Sequence, residues 1–356
     1  MTKVAILHGY SADNIGDGFL VQETCSMLRE VFGPNVDITL FAHKPDSFAG
    51  FGVRLFSTAP NKLLLPRAST LRELARLRTY DLVVGVGGGY LRMGRPSAAA
   101  KCALVHLPQL IAAGRVGSRA VYLPQSIGPF RMGTRAPMRR LLSRVSQVMA
   151  RDDRTISELS LPNVTRYSDI ALLRNAAIKR THITPTGPAV YTVRGFDGTV
   201  PKDAIALAEL LRPFDGFVQS TTGRNNDTEA MGSLRPIRLL ERSEIHGAAG
   251  GRRVVVAVRL HAALLAMGAG HYVIHLSYER KGFGAFGDLG LGDYVHNVFN
   301  FSPSIVAEQV DRLLKDPEAR RRYDEAITEA AGEISATRGR LLEVMRSTAG
   351  VYPARQ

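Results

Sequence analysis

The sequence has no tryptophan, two cysteines and no long apolar run. Each scarcity removes a class of protein. Cys25 and Cys102 are too few for a disulfide framework or a thiolate zinc set, and their apolar, helix-like surroundings point to core packing. No stretch approaches the roughly 18 apolar residues of a membrane span. The opening, MTKVAILHGYSADNIGDG, moves straight into a strand and a glycine turn, without the apolar core and cleavage site of a signal peptide. A cytoplasmic protein is therefore expected. His271 and His275 share one face of a strand, but no third ligand accompanies them, so no metal is expected. The chain has 34 glycines, yet none of the glycine-rich turns that follow strands in its first half is the dinucleotide GxGxxG pattern or a P-loop with its lysine.

Positive charge is plentiful. Lys and Arg number 46 against 32 Asp and Glu, a formal net charge of +14. Nucleic acid, an anionic membrane face and a small anionic substrate each suit such a surface, as does an ordinary solvated one. Nucleic-acid binding favours basic residues interleaved with exposed aromatics. Here the arginines are scattered through amphipathic helices, so no nucleic-acid partner is expected.

Apolar runs alternate with helix-period segments. KVAILHGY, VDITLFA, DLVVGVGGGYL, RAVYLPQS and VTRYSDIALL read as strands, with helices between them. Such alternation means a parallel sheet covered on both faces. Residues 179–188, KRTHITPTGP, look like a junction, and a second alternation follows. EAMGSLRPIRLLERSEIHGAAGG reads as mostly helical, and two helices end the chain. The expected architecture is α/β, with two Rossmann-like doubly wound domains facing a cleft, over residues 1–182 and 183–356.

Chemistry in such folds gathers where strands end. VVVAVRLHAALLAMGAG ends a strand in Arg259-Leu260-His261 and starts a helix at once. Arg offers paired donors to carboxylate or phosphate, His holds an anion or passes a proton, and a helix start favours negative charge. The same spacing also allows Arg259 to pair with an acid on a neighbouring strand, and both readings stay open. Arg194 ends the strand YTVRGF, and Lys281 lies in the charged run YERK. In the first half, turns after strands offer Asn14, Gly88, Gly89 and Gln125 as binding candidates, although tight turns need glycine in any case.

These pieces together resemble the polysaccharide pyruvyl transferase family. The carriers are NIGDG (14–18), GGGYL (87–91), QSIGP (125–129), ARDDRTISEL (150–159), SDIALL (168–173), VRGF (193–196) and the long block RLHAALLAMGAGHYVIHLSYERKGFGAFGDLGL. Two departures stand out. Gly18 replaces a frequent Glu, and Gly270-His271-Tyr272 replaces a frequent Gly-x-Pro. The resemblance implies a GT-B-like fold, with the N-terminal domain on the acceptor side and the C-terminal domain on the donor side. It implies transfer of a pyruvyl group from phosphoenolpyruvate to a sugar of a cell-surface polysaccharide or its lipid-linked precursor, forming a ketal and releasing phosphate. Phosphoenolpyruvate is then the donor substrate, and no cofactor is needed.

In this scheme Arg194, Arg259, Leu260, His261 and Lys281 receive the donor. His261 is the proton donor or a phosphate ligand, and Asp17 or Asp13 takes a hydroxyl proton. The basic segments 61–67, 72–78 and 135–144 suggest a peripheral contact with the inner face of the plasma membrane. A GT-B glycosyltransferase using a sugar nucleotide and a non-catalytic polyanion binder are the alternatives.

Overall fold

The computed structural model describes residues 1–63, 65–173, 183–196, 198–220, 226–246 and 251–350. Contacts divide the chain into two units: Met1–Ile170 with Ala336–Gln356, and Ala171–Ser335. The expected boundary at 182/183 adjoins residues 174–182, which lie outside the described residues.

The first unit holds β1 (Lys3–Gly9), α1 (Ile15–Phe32), β2 (Asp37–Ala42), β3 (Arg54–Ser57), α2 (Ala68–Ala75), β4 (Leu82–Gly85), α3 (Pro96–Lys101), α4 (Leu107–Val116), β5 (Ala120–Gln125), α5 (Arg135–Leu142), β6 (Gln147–Ala150), α6 (Asp153–Leu159) and β7 (Val164–Arg166). Its seven strands pair in parallel in the order β3-β2-β1-β4-β5-β6-β7. Strands covered on both faces read as unbroken apolar runs, and Val4 to Leu7 and Leu82 to Val84 are fully buried. Helices α2, α4 and α5 pack in sequence on one face through Leu74, Leu110, Met138 and Leu142. The short β3 escapes the sequence pattern because it is an edge strand whose Arg54 is exposed.

The second unit holds β8 (Val190–Tyr191), α7 (Lys202–Leu210), β9 (Asp215–Gly216), α8 (Thr228–Ser233), α9 (Arg242–His246), β10 (Val254–Ala257), α10 (Leu260–Gly268), β11 (Tyr272–Ser277), α11 (Arg280–Asp288), β12 (Val295–Asn297), α12 (Pro303–Lys315) and α13 (Pro317–Thr348). Its five strands are also parallel, in the order β12-β11-β10-β8-β9. Both orders reverse direction once, between β1 and β4 and between β8 and β10. This is the mark of doubly wound Rossmann-like sheets.

The expectation of a mostly helical segment from 229 to 251 is corrected. Helix α8 stops at Ser233, Arg235 takes a positive φ of 53°, and Pro236 cannot supply an amide. The chain then runs extended beside β9, with Gly216 N–H donating to Arg238 and Leu240 N–H donating to Gly216. Residues 247–250 lie outside the described residues. Cys25 and Cys102 are buried free thiols.

A buried polar network ties the carboxyl ends of β5 and β6 in the first unit. Arg151 Nη1 lies 2.6 Å from Asp169 Oδ2, and its Nε donates to Ser126 Oγ at 3.0 Å. Ser126 in turn donates to Asp152, the N-cap of α6, which accepts the Thr155 amide at 2.9 Å. Both side chains of the Arg151–Asp169 pair are almost wholly buried. Removing one partner of such a pair strands the other charge. Asp169→Ala is therefore expected to lower the unfolding free energy of the first unit by about 3–5 kcal/mol, read from the midpoint of urea denaturation. A loss indistinguishable from that of an exposed control, Asp46→Ala, contradicts this role.

Candidate functional site

In doubly wound sheets ligands gather beyond the carboxyl ends of the strands, at the point where strand order reverses. In the second unit that point lies between β8 and β10. Arg194 follows β8, Arg259 is the N-cap residue of α10 directly after β10, and His261 sits in the first turn of α10. The neighbouring β11 leads to Tyr278, Glu279 and Lys281 at the start of α11. Four of the candidates thus emerge at one edge of one sheet.

Aromatic and carboxylate side chains hold three of them, Arg194, Arg259 and Lys281. The Arg194 guanidinium lies 4.8 Å from the centre of the Tyr278 ring and 5.3 Å from that of Phe196, within the range of cation–π attraction. Phe196 packs edge-on against Tyr278 and Phe299, at 5.4 and 4.8 Å. Thr192 Oγ1 accepts the Val258 amide, pinning the end of β10 to the chain leaving β8.

Arg259 forks onto Asp227. Its Nε and Nη2 each reach a different carboxylate oxygen at 2.8 Å. Asp227 is 1% exposed. Burial works against the Arg259 charge, but the fork to Asp227, with Tyr278 adding to it, outweighs burial, and its pKa lies above the ordinary value. Of the two readings left open by the sequence, pairing with an acid is thus realised, from the segment before α8 rather than from a strand. Lys281 likewise faces a carboxylate, Glu279, at 3.1 Å. The Leu260 side chain is buried in the core, so its contribution to any ligand is confined to its backbone.

His275, on β11, is buried, and its Nδ1 lies 2.8 Å from the Ala257 carbonyl. Burial pushes its pKa down to about 4, the carbonyl opposes this and Lys281 adds to it. Its Nε2 is aimed at the first turn of α11, where a Cβ on Gly282 would lie 2.4 Å away, and 2.2 Å from Ser277 Oγ. Only a glycine lets α11 approach β11 this closely.

The other candidates occupy the first unit. Asn14 is the N-cap of α1, its oxygen accepting the Gly16 amide and its Nδ2 donating to Asp17 at 3.0 Å. Asp13 is exposed and pairs with Lys44 at 3.4 Å. Gly88, at a φ of 154°, bridges to Gln125, and Gly89 lies against Arg92. The Gln125 carboxamide is fully buried. It lies near enough to the Tyr90 phenol to lower that group's pKa against the stronger upward push of burial, yet among the described residues neither amide atom has a hydrogen-bond partner within 3.5 Å.

Sequence reasoning missed an aromatic–histidine cluster beside these glycines, at the reversal between β1 and β4. His8, with a φ of 70°, stacks on Tyr90 at 4.5 Å. Its Nε2 meets the Tyr122 hydroxyl at 2.8 Å and its Nδ1 meets His106 at 3.3 Å. Burial, helped by Lys101 and His43, pushes His106 down to about 3, and burial with His106 lowers His8. His8 lies inside an apolar strand run, where a histidine gives no signal of its partners, and Asp227 sits 32 residues before the arginine it holds.

No group of three or more His, Cys, Asp or Glu placed to hold a metal is found among the described residues, nor any helix long and apolar enough to cross a membrane.

The two parallel-sheet units define a class. Solved structures that share the fold include Anabaena Alr3699/HepE in complex with UDP-glucose (TM-score 0.61, 11% identity, 98% of this chain and 100% of that one). UDP-GlcNAc 2-epimerase from Neisseria meningitidis bound to UDP-GlcNAc is another (0.55, 12%, 98% and 100%). CalG4, the calicheamicin glycosyltransferase, is a third (0.53, 13%, 99% and 100%). The chain has the GT-B-like, two-domain Rossmann fold. No curated protein matches it significantly in sequence. Residues 14–280, well over half of the chain, match the family described as polysaccharide pyruvyl transferase, and the protein belongs to that family.

Two outcomes follow from the geometry. His8, His106 and His275 are neutral in the fold but titrate near 6.5 when unfolded. Between those values the unfolded chain binds more protons, so stability is full above pH 6.5 and falls as the pH drops toward 4. The melting temperature should decline across that window, and a flat profile contradicts the neutral assignment. Gly282→Ala should force α11 away from β11, lowering the melting temperature; an unchanged value would mean that the helix adjusts freely.

Proposed function

We propose that the protein transfers a pyruvyl group from phosphoenolpyruvate to a saccharide of a cell-surface polymer or its lipid-linked precursor, on the cytoplasmic side of the membrane. What supports this most is that the family match runs through the β10–α10 turn, where Arg259 and His261 stand at the reversal of strand order.

The donor carries a carboxylate and a phosphate. Arg194, Arg259, Lys281 and the amides opening α10, Leu260 among them, receive these groups. Asp227 cancels one unit of charge, and in return it fixes the guanidinium plane. The Lys281–Glu279 pair is partly exposed, and pairs of that kind contribute little, about 0–1 kcal/mol, so the ammonium is readily turned to a ligand. His261 delivers a proton to the methylene carbon or hydrogen-bonds the departing phosphate. One sugar hydroxyl attacks C2, phosphate leaves, and a second hydroxyl closes the ketal. Asn14, Asp17, Gly88, Gly89 and Gln125 are assigned to the acceptor. Asp17 takes the hydroxyl proton; Asp13, tied to Lys44 at the surface, is the weaker base.

The same fold serves proteins whose structures hold UDP-sugars, so the test must compare donors. Phosphoenolpyruvate at a hundred times its Kd should stabilise the protein by about 2.7 kcal/mol, seen as a raised melting temperature, while UDP and GDP leave it unchanged. Arg259→Ala should abolish that rise and lower kcat/KM by roughly ten- to a hundredfold or more, as loss of a charge-assisted bond implies. Stabilisation by UDP alone contradicts the donor assignment.

A further inference from the structure

Three segments leave the carboxyl ends of β3, β4 and β5 in the first unit: residues 59–72, 92–101 and 130–144. Together they hold eleven Lys and Arg and no Asp or Glu, in a chain with 46 and 32. Their cations include the exposed Lys62, Arg67, Arg95 and Arg131. The carboxylate nearest to Arg135, that of Glu158 on α6, is 4.0 Å away.

Large apolar side chains stand among these charges. Leu63 is 77% exposed, Leu65 57% and Met132 61%. Asn61 holds the backbone of both leucines by hydrogen bonds. The Asn61 side chain accepts the amides of Leu63 and Leu65 at 2.9 and 3.0 Å, and the Asn61 amide donates to the Leu65 carbonyl at 2.8 Å. Pro60 and Pro66 flank these residues. The second and third segments are laced together, Met93 N–H donating to Pro129 and Arg131 N–H to Met93. Because all three leave the same sheet edge, and β3 lies four strand spacings from β5, the apolar points are spread over about 19 Å.

We infer that this edge is a membrane-docking surface, in which Leu63, Leu65 and Met132 enter the headgroup boundary of an anionic bilayer while the surrounding arginines and lysines meet its phosphates. Charge complementarity selects an anionic partner, and the exposed aliphatic tips select a bilayer over a nucleic acid. Stacking on bases needs exposed aromatic rings, and the one aromatic in these segments, Phe130, is buried. Neither signal is sufficient alone, since peripheral anchoring normally combines an apolar insertion with a basic field. The inference is independent of the donor assigned above.

The absence of tryptophan makes the test direct. Leu63→Trp places the sole indole at the turn, and Leu210→Trp, on exposed α7 of the second unit, is the control. With vesicles of phosphatidylglycerol and phosphatidylcholine, the Leu63→Trp emission should shift to the blue and resist acrylamide quenching, and the control should not change. Pure phosphatidylcholine should give no shift, and 0.5 M salt, an ionic strength of about 3–8 Å Debye length, should reverse it. Lys62→Ala and Arg131→Ala should each lower vesicle partitioning about fivefold. The inference fails if both tryptophans respond alike, if neutral vesicles bind equally, or if single-stranded DNA or an acidic polysaccharide competes the protein off the vesicles at matched charge.

Discussion

A parallel sheet delivers the carboxyl end of every strand to one edge. Its right-handed crossovers leave the helices no choice of side until the order of strands reverses. Both units obey this constraint, and the placement of the candidate residues follows from it. The residues after β8 and β10 part at one reversal, and those after β1 and β4 part at the other. Arg194, Arg259 and His261 are close because two adjacent strands stop there, not because they are close in the chain. The same geometry brings Gly88, Gln125, His8 and Tyr90 together around the first reversal.

Guanidinium groups at these edges are rarely left to themselves. Arg259 is forked by Asp227 and Arg151 meets Asp169 at 2.6 Å, and at the opposite, amino-terminal edge Arg253 meets Asp215 at 2.6 Å. Taking an isolated charge out of water is costly, and a matched carboxylate is the usual remedy. The consequence for the proposed donor site is a shift from quantity to placement. The sequence suggests an accumulation of bare positive charge, whereas the structure has guanidinium held at a fixed angle, an arginine framed by Tyr278 and Phe196, and two helix starts. Preorganised donors of this kind lose less on binding than mobile ones.

Much of this was legible in the sequence, and the pattern of what was not is physical. Buried parallel strands announce themselves as apolar runs, so β1, β4, β5, β10 and β11 were readable. The edge strand β3 was not, because half of it faces solvent. The stretch after α8 carries leucines at helix-like spacing, but Pro236 and pairing with β9 override that pattern. Arg259-Leu260-His261 could be found because a charged pair closing an apolar strand is unusual. Asp227 could not, since a carboxylate in a polar stretch looks solvated until the fold buries it. The His8–His106–Tyr122 cluster joins β1 to two segments 98 and 114 residues further along the chain, and nothing local marks any of them.

The last helix carries its own lesson. α13 begins in the second unit, where Tyr323 hydrogen-bonds both backbone groups of Val273. Its final turns belong to the first, where Arg338 reaches Glu30 at 2.7 Å and Arg340 lies over Tyr167. The N-terminal unit is therefore not a contiguous stretch of gene. A fragment cut at residue 170 lacks a helix that shields part of its own surface, so dissecting the protein calls for splicing residues 336–350 back on, or for a circular permutant.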